Sequence, residues 1–147
     1  MIRRQGAERG SALVEFALSF SLMFTLFAGV FQFGYAYYLY NTLESAVRGG
    51  ARYASLRVYD SATGSPSAGY LSAVRNMVMY GNPSGSGPLT APGLTPEKVN
   101  VTVTMDRNVP VLITVGITNY TIYAVVRSFT LNDKPRASFT YTGRFAP

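Results

Sequence analysis

The strongest pattern in the chain is an uncharged, apolar segment close to the N-terminus. The 28 residues from Phe16 to Leu43 contain no Asp, Glu, Lys or Arg. As an α-helix this segment spans about 42 Å, whereas the hydrocarbon core of a bilayer is about 30 Å thick. The pattern therefore predicts a single transmembrane helix with some residues to spare.

The helix is expected to continue beyond the apolar segment. Glu44 and Arg48 form an i,i+4 pair in the favourable orientation. The pair Gly49-Gly50 weakens a helix by about 1 kcal/mol per glycine relative to alanine, but it also allows a bend or a close helix–helix approach. We expect the helix to reach about Ser55. Apolar residues at spacings of three and four mark its buried face: Leu43, Val47, Ala51, Ala54 and Val58.

A short amphipathic helix is predicted after a turn-rich linker at residues 60–69. Gly81 is placed to end this helix, and residues 82–96 are rich in Gly, Pro and Ser, which is typical of an exposed loop. The apolar face of the helix consists of Tyr70, Leu71, Val74, Met77 and Val78.

The C-terminal part of the chain alternates apolar and polar residues as strands do. Two strands at residues 98–105 and 111–118, joined by a turn at 106–108, form a hairpin, and Pro110 indicates an edge position or a bulge. A third strand covers 137–142, while Tyr120 to Phe129 fits a short helix or a covering loop. The expected fold class is α+β: a long N-terminal helix, a short helix and a three-stranded antiparallel sheet packed on the second helix, with the first helix as a further packing surface.

The residue inventory argues against catalysis. The chain has no Cys and no His, and no two of its seven carboxylates lie within four residues of each other. It therefore lacks the usual general base and metal ligands, and no cofactor or metal site is expected. The net charge of +6 comes partly from arginines on both sides of the apolar segment. Charges in that position meet lipid headgroups, so a bilayer and not a nucleic acid is the expected partner.

Three interpretations compete for the N-terminus. A secretory signal could end at the Gly-Tyr-Ala run at 34–36, but the apolar stretch is about twice the usual length. A plain signal anchor explains the length and the flanking arginines, but it does not explain Glu15. The third interpretation is a prepilin, because the Gly-x-x-x-x-Glu-aromatic spacing at residues 10–16 resembles the processing site of type IV prepilins. That resemblance implies a short basic leader at residues 1–10, a cut between Gly10 and Ser11, and an acid, Glu15, at mature position five.

The sequence Arg-Gly-Ser-Ala-Leu-Val-Glu-Phe-Ala-Leu at residues 9–18 resembles the opening of the TadE/TadG-like pseudopilins of tight-adherence (Flp-type) type IV pili. Phe-Gly-Tyr at 33–35 and Ser-Ala-Val-Arg-Gly-Gly-Ala-Arg-Tyr-Ala at 45–54 are similar to a further block of that family. Phe16 replaces the Tyr of the major Flp pilins, an aromatic for an aromatic. The matching motifs cover about residues 9–55, and the chain length resembles TadE most.

This resemblance implies a single-pass precursor in a bacterial inner membrane. A prepilin peptidase would cut between Gly10 and Ser11, which divides the chain into a cytoplasmic leader (1–10), a transmembrane and assembly helix (11–59) and an extracytoplasmic head (60–147). Orientation rests on the resemblance, because three arginines flank each side of the span. In pilins as a class, the residue matching Glu15 pairs with the N-terminal amine of an adjacent subunit.

The predicted function is that of a minor pilin or pseudopilin that contributes to pilus assembly, surface adhesion or biofilm formation. Its expected partners are the prepilin peptidase, other pilin or pseudopilin subunits, the inner-membrane assembly platform and the bilayer. Arg48, Gly49, Gly50 and Arg52 are candidates for a helix interface, although the two arginines also fit a solvated face. The alternative is an uncleaved, membrane-anchored periplasmic binding or scaffold module that keeps residues 1–10 and tolerates Glu15→Ala.

Overall fold

The computed structural model describes residues 5–123 and 127–147, with side chains from Gly10 onward. Part of the predicted leader (1–4) and part of the ambiguous stretch from Tyr120 to Phe129 (124–126) lie outside the described residues. The fold is α+β, as the sequence predicts. Its elements are α1 (Gln5–Leu56), α2 (Ala68–Tyr80), a 3-10 turn (Pro96–Lys98), β1 (Val99–Asp106), β2 (Val109–Ile117), β3 (Tyr120–Ile122), β4 (Phe129–Leu131) and β5 (Arg136–Thr140).

Helix α1 runs without a break through Gly49-Gly50 and ends one residue after the predicted Ser55. The predicted apolar face is confirmed for four of its members, which are fully buried: Leu43, Val47, Ala51 and Ala54. The prediction was wrong for Val58, which is 46% exposed. Val58 lies beyond the helix end, so the helical spacing no longer determines where its side chain points.

Helix α2 is capped at both ends, by a serine side chain at its N-terminus and by a glycine at its C-terminus. The Ser67 hydroxyl accepts a hydrogen bond from the Tyr70 N–H at 3.1 Å. Gly81 ends the helix in the left-handed conformation (φ 67°) and donates to the Met77 carbonyl at 3.0 Å. The predicted apolar face is only partly correct, because Leu71 and Met77 are half-buried. The buried residues are Tyr70, Ala73, Val74, Val78 and Met79.

The main sheet has the antiparallel order β1-β2-β5. Arg107 and Asn108 form the two-residue turn between β1 and β2, both with positive φ (48° and 62°), as a type I′ hairpin requires. The pairing register shifts where Pro110 faces β1. Because β2 is the central strand, Pro110 marks a bulge and not an edge; without an N–H it cannot donate to the ladder.

The stretch from Tyr120 to Phe129 begins with the short strand β3 and ends at the first residue of β4, so the prediction of a short helix or a covering loop was wrong for these two ends. β3 and β4 pair antiparallel, with Tyr120 opposite Leu131 and Ile122 opposite Phe129. Tyr120 and Ile122 are buried in the core. This second hairpin, β3–β4, projects from the head toward α1.

The head packs mainly on the C-terminal half of α1. Strands β2 and β5 and helix α2 all contact α1, whereas α2 contacts only the first strand of the sheet closely. The first helix is therefore the main packing surface, and the second helix a smaller one. The loop at 82–96 is less exposed than predicted, because Ala91 and Leu94 are buried in the same core.

An aromatic cluster ties the end of α1 to α2 and to the C-terminal segment. The Tyr59 ring meets Tyr70 edge-on at 5.2 Å and also contacts Tyr141 and Phe145. The Tyr70 hydroxyl donates to the Ala54 carbonyl at 2.5 Å, and the Tyr141 hydroxyl accepts from the Tyr59 N–H at 3.0 Å. Burial raises the pKa of Tyr59, Tyr70 and Tyr141 above the usual value.

Candidate assembly helix and membrane segment

The predicted processing residues lie on an exposed part of α1. Gly10, Ser11 and Glu15 are all solvent-accessible, and a side chain added at Gly10 would meet no atom within 4 Å. Phe16 is 67% exposed. No other part of the described chain covers this end, so a peptidase or a neighbouring subunit can reach it directly.

The proposed scissile bond lies inside a helix, since α1 begins at Gln5. A peptidase that needs an extended backbone would have to unwind the helix around Gly10. Glycine lowers the cost of that step by about 1 kcal/mol relative to alanine. Glycine at the predicted cleavage site would therefore also make the bond easier to expose.

The first half of α1 stands apart from the head and is long and apolar enough to cross a membrane; within the described part of the chain, α1 is the helix with this property. Its large side chains between Leu13 and Phe31 are about 50% or more exposed. Three rings line one side, with Phe16–Phe20 and Phe20–Phe24 centroids 6.0 and 6.3 Å apart. An exposed apolar surface of this extent is consistent with membrane anchoring.

Gln32 connects α1 to the head through a hydrogen bond. Its side chain is only 6% exposed, and its Nε2 donates to the Arg127 carbonyl at 3.1 Å. The structure supplies a partner from the same chain, 95 residues away in sequence.

Aromatic residues surround α1 at and above this level. Phe31 and Tyr35 stack with centroids 6.5 Å apart and nearly parallel planes. Phe33, Tyr37 and Tyr38 are each more than 60% exposed. Rings in this position match the aromatic belt of a membrane–water interface.

The four helix-interface candidates have different surroundings. Glu44 and Arg48 form the expected ion pair on an exposed surface, with 2.5 Å between Oε1 and Nη2, and Arg52 is also exposed. Gly50 is buried against α2: a Cβ there would lie 2.3 Å from Val78 Cγ2. Gly50 therefore packs against α2 of its own chain, and the other three candidates face outward.

A cleft that the sequence did not indicate opens between α1 and the β3–β4 hairpin. Its volume is about 580 Å³. One wall is formed by α1 from Phe24 to Phe33, and the other by Arg127 and Phe129. Sequence reasoning missed it because it joins parts of the chain about 100 residues apart; the one hint was the apolar run with a single cation at 123–129.

The titratable groups of the described residues form no group of three or more metal-ligand side chains. Among the carboxylates whose side chains the structure describes, Glu97 is the one with a clearly shifted pKa. A backbone and a side-chain hydrogen bond at the 3-10 turn lower this pKa. It lies at the surface of the head, away from the cleft.

Comparison with known proteins finds a family similarity for part of the N-terminal helix. Residues 10–52 match the model of a family described as TadE-like protein. The match begins at the predicted cleavage site and ends within the helix-interface candidates, and it confirms the resemblance that the motifs carry. No curated protein and no solved structure matches the chain.

Proposed function

We propose that this chain, whose residues 10–52 form a TadE-like segment associated with Tad pili, is a minor pilin or pseudopilin of a tight-adherence pilus. It would enter the bacterial inner membrane as a single-pass precursor, with residues 1–10 in the cytoplasm and the head outside. A prepilin peptidase would then cut after Gly10. The mature subunit would join other pilin or pseudopilin subunits through the inner-membrane assembly platform and support pilus assembly, surface adhesion or biofilm formation.

The observation that carries this proposal is the exposed apolar surface of the first half of α1, with Glu15 near the start of the apolar segment. A carboxylate at the edge of a spanning helix costs about 2.5–3.5 kcal/mol on insertion scales. Cleavage would create an α-amino group on Ser11 with an ordinary pKa of about 7.7–8.0, which is largely cationic at neutral pH. Pairing Glu15 with that amine of a neighbouring subunit offsets the cost and fixes the axial register.

Cleavage is tested by the N-terminus of the protein extracted from membranes of cells that make the pilus. Intact mass and N-terminal sequencing should give a chain that starts at Ser11. A chain that keeps residues 1–10 while a competent peptidase is present would support the uncleaved anchored module and would exclude the pilin proposal.

The register role is tested by Glu15→Ala, with Glu44→Ala as the matched control. Both variants remove one exposed-helix carboxylate, but Glu44 pairs with Arg48 on its own helix. We expect both variants to be cleaved, and only Glu15→Ala to fail to enter filaments, as measured by immunoblots of sheared pili. Normal incorporation of Glu15→Ala would refute the pairing of Glu15 with a neighbouring amine.

A further inference from the structure

The β3–β4 hairpin lies at a depth on α1 that the membrane should occupy. If Glu15 marks the inner boundary of the hydrocarbon, a core of about 30 Å needs about twenty helical residues and reaches about residue 35. Gln32 is then about 5 Å inside the outer boundary. Arg127, whose carbonyl accepts from Gln32, is at the same level. This step rests on the membrane topology of the proposed function.

The described side chains of the hairpin are typical of a membrane–water interface and not of a fully solvated head surface. Tyr123 is 79% exposed, the highest value among the large apolar or aromatic residues whose side chains the structure describes, and Arg127 is also exposed. The sequence from Tyr120 to Asn132 contains one cation and no acid. Tyrosine and arginine are the residues that anchor proteins at the headgroup level.

The cleft beneath the hairpin has a matching composition. Phe24, Ala28 and Phe129 give it apolar walls, and Arg127 contributes a cation to its lining. An acyl chain fits the apolar walls, and a phosphate at the headgroup level fits the guanidinium.

We propose that the β3–β4 hairpin is a second membrane contact, which binds an anionic phospholipid of the outer leaflet through Arg127 and the cleft. The contact holds the head of the unassembled subunit against the membrane surface, with Tyr123 in the aromatic belt of α1. The hairpin also supplies the Arg127 carbonyl that accepts a hydrogen bond from Gln32, at a depth where polar groups need partners within the protein.

A lipid fits the cleft better than a second copy of the chain does. The surface that a second copy would bring at this depth is its own apolar segment from Phe16 to Leu43, which has no carboxylate. That segment would fill the apolar walls but would leave the guanidinium without a counter-charge. A phospholipid supplies both groups at once.

The absence of tryptophan from the chain allows a site-specific depth measurement. Three full-length variants carry one tryptophan each: Tyr123→Trp on the hairpin, Phe27→Trp in the membrane segment and Val109→Trp at the far hairpin of the head. Each is reconstituted in phosphatidylcholine vesicles with or without phosphatidylglycerol. Fluorescence is then quenched by phospholipids brominated on the upper acyl chain.

We expect bromine to quench the tryptophans at 27 and 123 and not the one at 109. In the Tyr123→Trp background, Arg127→Gln should reduce the preference for brominated phosphatidylglycerol over brominated phosphatidylcholine about fivefold, because one basic residue at the surface contributes about that factor. Quenching at 27 without quenching at 123 would overturn the hairpin contact and leave the anchor in place. No quenching at 27 would overturn the membrane topology itself. If brominated lipid does not quench the tryptophan at 123, but this tryptophan becomes more shielded from water as the protein-to-lipid ratio rises, a second copy of the chain occupies the cleft.

Discussion

Gly49 and Gly50 are neighbours in sequence but have opposite surroundings. A Cβ at Gly49 would meet no atom within 4 Å, whereas a Cβ at Gly50 would overlap Val78. The sequence suggested that the pair allows a close helix approach, and the structure confirms this for Gly50 alone. The sequence could not tell the two residues apart, because the difference depends on where α2 returns to α1.

The two glycines give a matched pair of alanine variants. Each replacement removes the conformational cost of a helical glycine, worth about 1 kcal/mol. Gly49→Ala should therefore stabilise the head slightly, but Gly50→Ala should add an overpacking cost of about 1–3 kcal/mol, because the β-branched Val78 cannot rotate its methyl away freely. The free energies of unfolding of the head in detergent, measured with urea, should differ between the variants by about that cost. Equal stabilities would show that α2 shifts without penalty.

The two hairpins show which elements a single sequence reveals. The long strands β1 and β2 alternate over eight and nine residues, and their turn residues are visible between them. Strands β3 and β4 have three residues each, too few for a period to be recognised. Their position depends on the burial of Tyr120 and Ile122 in the core and on the hydrogen bond between Arg127 and Gln32, which are 95 residues apart in sequence. The unpredicted element is thus the one that forms the cleft.

The β1–β2 turn predicts a stabilising substitution. Arg107 has φ 48°, a left-handed conformation that costs most residues about 1–2 kcal/mol and is tolerated by asparagine. Arg107→Asn should therefore raise the free energy of unfolding of the head by about 1 kcal/mol. Arg107→Val is the opposite control, since a β-branched residue at positive φ should lower it. The same urea unfolding measurement tests both variants, and a gain from valine would contradict the turn assignment.

The whole molecule combines an exposed apolar helix, long enough to cross a membrane, with a head that is built on the continuation of the same helix. The apolar length and the helix end near Ser55 could be read from the sequence, because each depends on local pattern. The processing motif was read from local pattern too, and it stays a prediction. The seating of the head on α1 and the tyrosine cluster could not, because they bring together residues 59, 70 and 141. These long-range contacts make the C-terminal segment part of the core that fixes α1 to the head.

The tyrosine cluster predicts how the whole head responds to alkali. Burial raises the folded-state pKa of Tyr59, Tyr70 and Tyr141 above the unfolded value of about 10. The folded state then holds these protons more tightly, so its stability is intact below pH 10 and falls as the pH rises further. Tyr70→Phe should be less stable at neutral pH by about 1 kcal/mol, because the bond to the Ala54 carbonyl is lost, but should lose less on going to alkaline pH. Urea unfolding at several pH values gives the free energy of unfolding as a function of pH for the parent protein and for Tyr70→Phe. Equal slopes with pH would exclude Tyr70 as a source of the alkaline sensitivity.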